Sequence, residues 1–213
     1  VFDSLAIGMS PFLMNLAACF IVIIINQGLK KYGGDLAIGA FGIVNRLVFI
    51  VVMIVMGLNQ GMQPIAGYNF GAKLYGRVNK VLRLTIIYAT AVTTFGFLVG
   101  MLVPDLVVGI FTSDAELTEL SVTGLRITVM FFPIIGFQMV TSNFFQSIGM
   151  AGKAIFLSLT RQMLILLPCL LVLPQFFGVA GVWYSMPVSD LLASLIALVM
   201  LVCQFRKFRT SPL

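Results

Sequence analysis

Residues 36–73 read LAIGAFGIVNRLVFIVVMIVMGLNQGMQPIAGYNFGAK, an apolar run to Ile65 that passes into a Gly- and amide-rich end at Lys73. A helix of ~20 mostly apolar residues crosses the ~30 Å hydrocarbon core of a bilayer, and this run is long enough. Its far end has its own chemistry. Asn59, Gln60 and Gln63 precede Pro64, which removes a backbone donor and weakens the helix there. Gly57, Gly61, Gly67 and Gly71 loosen the backbone and let another helix approach closely. Tyr68 and Lys73 suit a membrane surface. The stretch reads as a spanning helix ending in a segment built for bending or tight packing.

The rest of the chain repeats the pattern. Apolar runs span about 4–28, 36–65, 75–103, 117–148, 153–173 and 179–205. Of the 213 residues 60% are apolar and 9% charged, against about 25% charged in ordinary soluble domains. A water-facing surface cannot be built from this composition. The runs are rich in Leu, Ala and Met and lack the alternation of an outer-membrane barrel. The expected fold is all-α: a polytopic membrane protein whose six transmembrane helices form a single lobe.

Breaks between the runs have physical causes. Lys30 to Asp35 is a polar turn with two glycines, and Pro104-Asp105 ends the third run because the residue before proline leaves helical geometry. Pro174 ends the fifth run and Gly178 leads to the sixth. Pro11, Pro133, Pro168 and Pro187 fall inside runs, where neighbours can satisfy the freed carbonyls and the helix kinks. The basic residues are asymmetric. Lys73, Arg77, Lys80, Arg83, Lys153, Arg206, Lys207 and Arg209 share one side, and Lys30 and Lys31 the other. Positive loops stay inside, so both ends of the segment are expected in the cytoplasm of a bacterial inner membrane. Residue 1 is Val, and no basic region precedes the first run. The first run therefore does not read as a signal peptide, and the expectation is a fragment whose natural N-terminus is missing.

Function classes narrow quickly. The chain has no histidine, no carboxylate pair at helical spacing inside a run, no Ser/His/Asp set and no Gly-rich phosphate loop, so no catalytic residue and no enzyme are expected. Cys19, Cys169 and Cys203 lie in apolar runs, odd in number and widely spaced, which fits buried apolar side chains and neither a metal site nor a disulfide. The net charge of +6 sits between apolar runs and not on one face, which argues against nucleic acid.

Four ionisable residues lie deep in the runs: Arg46, Arg126, Arg161 and Asp190. Each costs at least ~2.5 kcal/mol in lipid and must face protein or a wet cavity. Counted from the outer ends of their runs they sit ~15–20 Å deep, so Asp190 can meet any of the arginines in depth. The expected pairing is with Arg126 or Arg161, as a structural ion pair. Gln138, Ser142 and Gln146 recur at i, i+4 and i+8 on one helix face, and Asn143 lies one turn from Gln146. With Asn15, Gln60 and Gln63 they are the candidates for lining a substrate cavity; the alternative is that they only join helices. Phe131, Phe137, Phe144, Met53 and Met139 are aromatic or polarisable side chains near these polar positions.

The run from Gln60 to Lys73 resembles the second span of the C-terminal lobe in multidrug and toxic compound extrusion (MATE) transporters. Phe111 to Asp114, Phe145 to Gly149, Arg161 with Pro168, and Gly178 to Asp190 extend the likeness in order along the chain. The resemblance implies one lobe of a twelve-helix transporter, with a missing N-terminal lobe of the same chain as its partner. It implies alternating access that exports organic cations or other drug-like molecules in exchange for sodium ions or protons, with no other cofactor. Several family members carry essential carboxylates in the first and fourth spans of this lobe; here the membrane parts of those spans have none. The coupling carboxylate is then expected in the missing lobe. The rivals are a lipid-linked oligosaccharide flippase of the same broad fold, which the intramembrane arginines suit, and a non-transporting membrane scaffold.

Overall fold

The computed structural model describes residues 2–210, with side chains described at Phe12 and from Asn15 to Gln204. Pro11, Arg206, Lys207 and Arg209 lie outside the residues whose side chains are described. Among the described residues the chain is helical and without strands. The helices are α1 (Phe2–Gly71), α2 (Tyr75–Leu102), α3 (Pro104–Gly109), α4 (Ala115–Val129), α5 (Phe132–Ser147), α6 (Ala151–Leu159), α7 (Leu167–Phe177) and α8 (Val179–Thr210). A π-helical segment, Thr160–Leu166, joins α6 to α7. Lipid offers backbone groups no hydrogen bonds, so apolar runs close their own as helices.

α1 is two spans in one. Gly34, at φ 68° and ψ −163°, interrupts it in a conformation essentially reserved for glycine. Asn15 and Asn59, on opposite sides of that break, line one cavity, so the halves fold back on each other as a hairpin. Asn15–Gly71, Tyr75–Leu102, Ala151–Phe177 and Val179–Gln204 are each long and apolar enough to cross a membrane. α4 and α5 together make a further crossing, bent by 55°. With α1 divided at Gly34, the described chain holds six apolar crossings.

Several boundaries differ from the sequence expectation. Pro174 does not end the fifth run: α7 passes through it to Phe177 and closes at Gly178, at φ 57°. The expected turn from Lys30 to Asp35 is helical except at Gly34. The second span does not end at Ile65: the helix passes through Pro64 to Gly71. Its close is a C-terminal motif in which Leu74 N–H donates to Asn69 O and Lys73 N–H to Phe70 O, with Lys73 at φ 59° in the position glycine usually takes. Asn69 also donates its side-chain amide to Ile65 O at 2.8 Å, which adds a bond within the final turns. α5 ends the same way, with Gly149 in the left-handed position. The run 117–148 is broken at Met130-Phe131, because Pro133 in the first turn of α5 has no N–H to continue α4. Pro104 does not simply end α2 but opens the short α3. Of the four glycines quoted above, only Gly67 is pressed: a Cβ there would lie 3.0 Å from Ser147 O, whereas Gly57, Gly61 and Gly71 face open space.

Two apolar cores hold the lobe. One, near the Gly34 end, gathers Leu29, Ala40, Phe41, Leu125, Phe132 and Trp183. The other, near the Gly71 end, gathers Met62, Ala66, Leu82, Phe144, Phe145 and Ala197. Hydroxyls inside these helices are satisfied one turn back, as in Thr93 Oγ1 to Ala89 O (3.0 Å), Thr128 to Gly124 O (2.8 Å) and Ser185 to Gly181 O (2.7 Å). Large apolar side chains such as Phe95, Leu102, Ile110 and Phe176 stay exposed on the outside, where lipid is their solvent. For the same reason Cys19 and Cys203 are exposed and not buried; an apolar run does not imply an inward face here.

Candidate functional site

The polar side chains of the apolar helices converge. A cavity of about 470 Å³ is lined by Asn15, Gln60, Gln63, Gln138, Ser142, Asn143 and Gln146, which is every cavity candidate taken from the sequence. Asn59, Ser158, Arg161 and Gln162 complete its polar wall, and Ala18, Met56 and Met139 its apolar part. The first half of α1 supplies Asn15, and its second half supplies Met56, Asn59, Gln60 and Gln63 at helical spacing. α5 supplies the 138–146 stripe. The α6–π junction supplies Ser158, Arg161 and Gln162. Ser142 Oγ and Ser158 Oγ lie 3.1 Å apart and tie α5 to α6. Asn143 donates to Met139 O at 3.0 Å, and Ser147 to Asn143 O at 2.7 Å.

Asp190, nearly fully buried in α8, is paired with Arg161. The Arg161 Nε–H and Nη2–H both donate to Asp190 Oδ1, each at 2.7 Å. Of the two partners expected for Asp190, the structure selects Arg161. The π segment begins at Thr160 and ends two residues before Pro168, and its wide turn sets Arg161 on the cavity wall. Arg46 and Arg126 are exposed on the lobe surface and take no part in the cavity. Arg46 shares a stripe of α1 with Phe49, Met53, Met56 and Gln60, all exposed, and Met56 and Gln60 also border the cavity. The cavity is therefore walled by one lobe on one side and uncovered on the other.

Among the aromatic and sulfur side chains singled out earlier, Met139 lines the cavity, Phe144 is buried in the core near the Gly71 end and Met53 is exposed. Asn59 and Gln162 were not among the candidates. The i, i+4 spacing of Asn59 with Gln63, and of Ser158 with Gln162, was the signal that could have found them. Asp and Glu do not occur among the residues lining this cavity.

A family model, MatE, matches residues 10–171. The multidrug export protein MepA of Staphylococcus aureus (strain MSSA476) is 29% identical over 192 residues, which is 90% of this chain and 42% of that protein. A solved structure of the MATE multidrug transporter DinF-BH superposes with a TM-score of 0.85 at 35% identity, covering 98% of this chain and 47% of the other. An outward-facing multidrug resistance MATE transporter of the MOP superfamily gives a TM-score of 0.88 at 18% identity, over 96% of this chain and 46% of that one. The chain thus spans less than half the length of the relatives it matches.

Proposed function

The chain belongs to the MatE family, and from that premise we propose that it is the C-terminal six-helix lobe of a secondary antiporter that exports drug-like molecules by alternating access. The observation that carries this reading is the half-walled polar cavity. Ten amide or hydroxyl side chains meet Met56 and Met139 inside an otherwise apolar lobe, and exposed Asn15, Met56 and Gln60 mark the side left open. A second lobe of similar size would close it, with substrate held near the midplane between the two. Amide groups and methionines bind varied molecules without demanding one geometry. Since neither Asp nor Glu lines this wall, the carboxylate that couples export to sodium ions or protons belongs to the other lobe.

The test is transport by the full-length protein in vesicles. A lipophilic cationic dye is expected to move against its gradient when a sodium or proton gradient is imposed, and to stop when that gradient is collapsed. Dye movement indifferent to both gradients refutes the antiporter reading. Gradient-independent movement of a lipid-linked sugar would favour the flippase instead, which the cavity arginine suits.

Orientation is tested separately. Lys73, Arg77, Lys80 and Arg83 flank the α1–α2 turn, whereas the α3–α4 region carries Asp105, Asp114, Glu116 and Glu119 and no basic residue. The positive turn is inside. In a variant freed of native cysteines, Ser113→Cys should react with an impermeant reagent added outside, and Ala72→Cys should not. The opposite pattern inverts the lobe.

A further inference from the structure

Export of organic cations gives Arg161 no role, yet Arg161 lines the cavity. We propose that Arg161, with Asn59 and Gln162, forms an oxyanion subsite that holds a carboxylate or phosphate carried by the bound molecule. This inference rests on the export reading for its setting and narrows the substrate class.

The geometry starts with the ion pair. A guanidinium has five N–H donors in a planar fork. Asp190 Oδ1 takes two of them, from Nε and Nη2. Asp190 is buried and not part of the cavity wall, whereas 31% of the Arg161 side chain is exposed. The carboxylate therefore grips one edge of the fork from behind. Three donors remain, both on Nη1 and one on Nη2. A planar fork anchored at one edge is pre-organised for an oxyanion at the other.

A second observation is independent of the charge. Asn59 is 3% exposed, lines the same cavity, and neither its Nδ2 nor its Oδ1 has a hydrogen-bond partner. Gln162 Oε1, on the residue next to Arg161, is likewise buried and unpartnered. Buried polar groups are seldom left unpaired, because each then forfeits its hydration. A ligand oxyanion accepts from the Asn59 amide, and an N–H of the same ligand donates to Gln162 Oε1. A bare cation at this wall would meet amide oxygens beside a fixed positive charge and no carboxylate. The fitting ligand carries an anionic group, alone or as part of a zwitterion.

The experiment uses the full-length protein in phosphatidylcholine nanodiscs and two probes, a rhodamine with a free carboxylate and its methyl ester. Fluorescence anisotropy should show the acid binding at least about tenfold tighter, the worth of one charge-assisted hydrogen-bonded contact. The preference should fall to near parity in the double variant Arg161→Gln with Asp190→Asn, which removes both charges together and leaves neither stranded. Asn59→Leu, with the ion pair untouched, should cut it several-fold. Equal binding of the two dyes to the wild type overturns the subsite, and so does an acid preference that survives both variants. Phosphatidylglycerol added to the nanodiscs identifies the source of the oxyanion. If it displaces the acid and spares the ester, a lipid phosphate occupies the site; if it displaces neither, the site serves the soluble ligand. Gradient-driven transport of the ester is followed in parallel. Transport of the acid is followed beside it, and the absence of both with an intact acid preference refutes antiport and leaves the subsite standing.

Discussion

Asp190→Asn in the full-length protein is expected to cost folded protein before it costs coupling. The variant strands Arg161 inside the lobe with its guanidinium unmatched. Removing one member of a buried pair costs about 3–5 kcal/mol in soluble proteins. Arg161 keeps 31% of its side chain exposed toward the cavity, so water softens the loss to about 3 kcal/mol, the lower end of that range. The pair also ties the α6–π junction to α8 across 29 residues of sequence, a contact that hydrophobic packing alone does not specify. Folded yield by size-exclusion chromatography and the drug-to-ion ratio should be measured on the same preparations. A sharp drop in yield with an unchanged ratio in the surviving protein is the expected pair of results. Normal yield with abolished coupling would make Asp190 a transport residue and end its structural role.

Gly136→Leu should be as damaging, for a steric reason. A Cβ at Gly136 would lie 2.7 Å from Thr93 Oγ1 and 2.8 Å from Ala89 O. The Thr93 hydroxyl is itself bonded to Ala89 O, so the obstacle is backbone plus a fixed side chain and cannot swing aside. The added isobutyl group must push α5 off α2, at a cost of about 3 kcal/mol or more. Gly136→Ala should already lower the thermal midpoint in detergent. Gly57→Ala is the control, since a Cβ there meets nothing within 4 Å and alanine is the better helix former. Indistinguishable midpoints for the two alanine variants would show that α2 and α5 are not in this close contact.

What could be read from the sequence follows from which forces are periodic. Hydrophobic length alone reveals the apolar runs, because lipid imposes it on every crossing helix. The 138, 142 and 146 stripe points to a shared face, because helix geometry fixes i, i+4 neighbours whatever the tertiary structure. Breaks that depend on a carbonyl's partner are not legible this way. Pro64 and Pro133 look alike in sequence, yet α1 runs through the first, whereas the run of α4 and α5 breaks just before the second. Each proline frees the carbonyl four residues before it, Gln60 for Pro64 and Val129 for Pro133, and the residue pattern alone does not say what surrounds that group. Arg46, Arg126 and Arg161 were equivalent in depth. Only the rotation of each helix about its axis separates the one inside the lobe from the two on its surface, and an added π turn is invisible to a pattern read at 3.6 residues per turn.

That wide turn also bears on how such chains can change in length. Losing a residue from the middle of an ordinary spanning helix swings everything beyond it by about 100° and turns buried faces outward. Thr160–Leu166 is an exception, because a π turn holds a residue more than the α turn it replaces. One deletion there would close the segment to regular α-helix, while Ala151–Leu159 and Leu167–Phe177 kept their facing toward their neighbours. Insertions and deletions among related chains should therefore gather at this point of the span, and a chain one residue shorter here would aim a different side chain into the cavity.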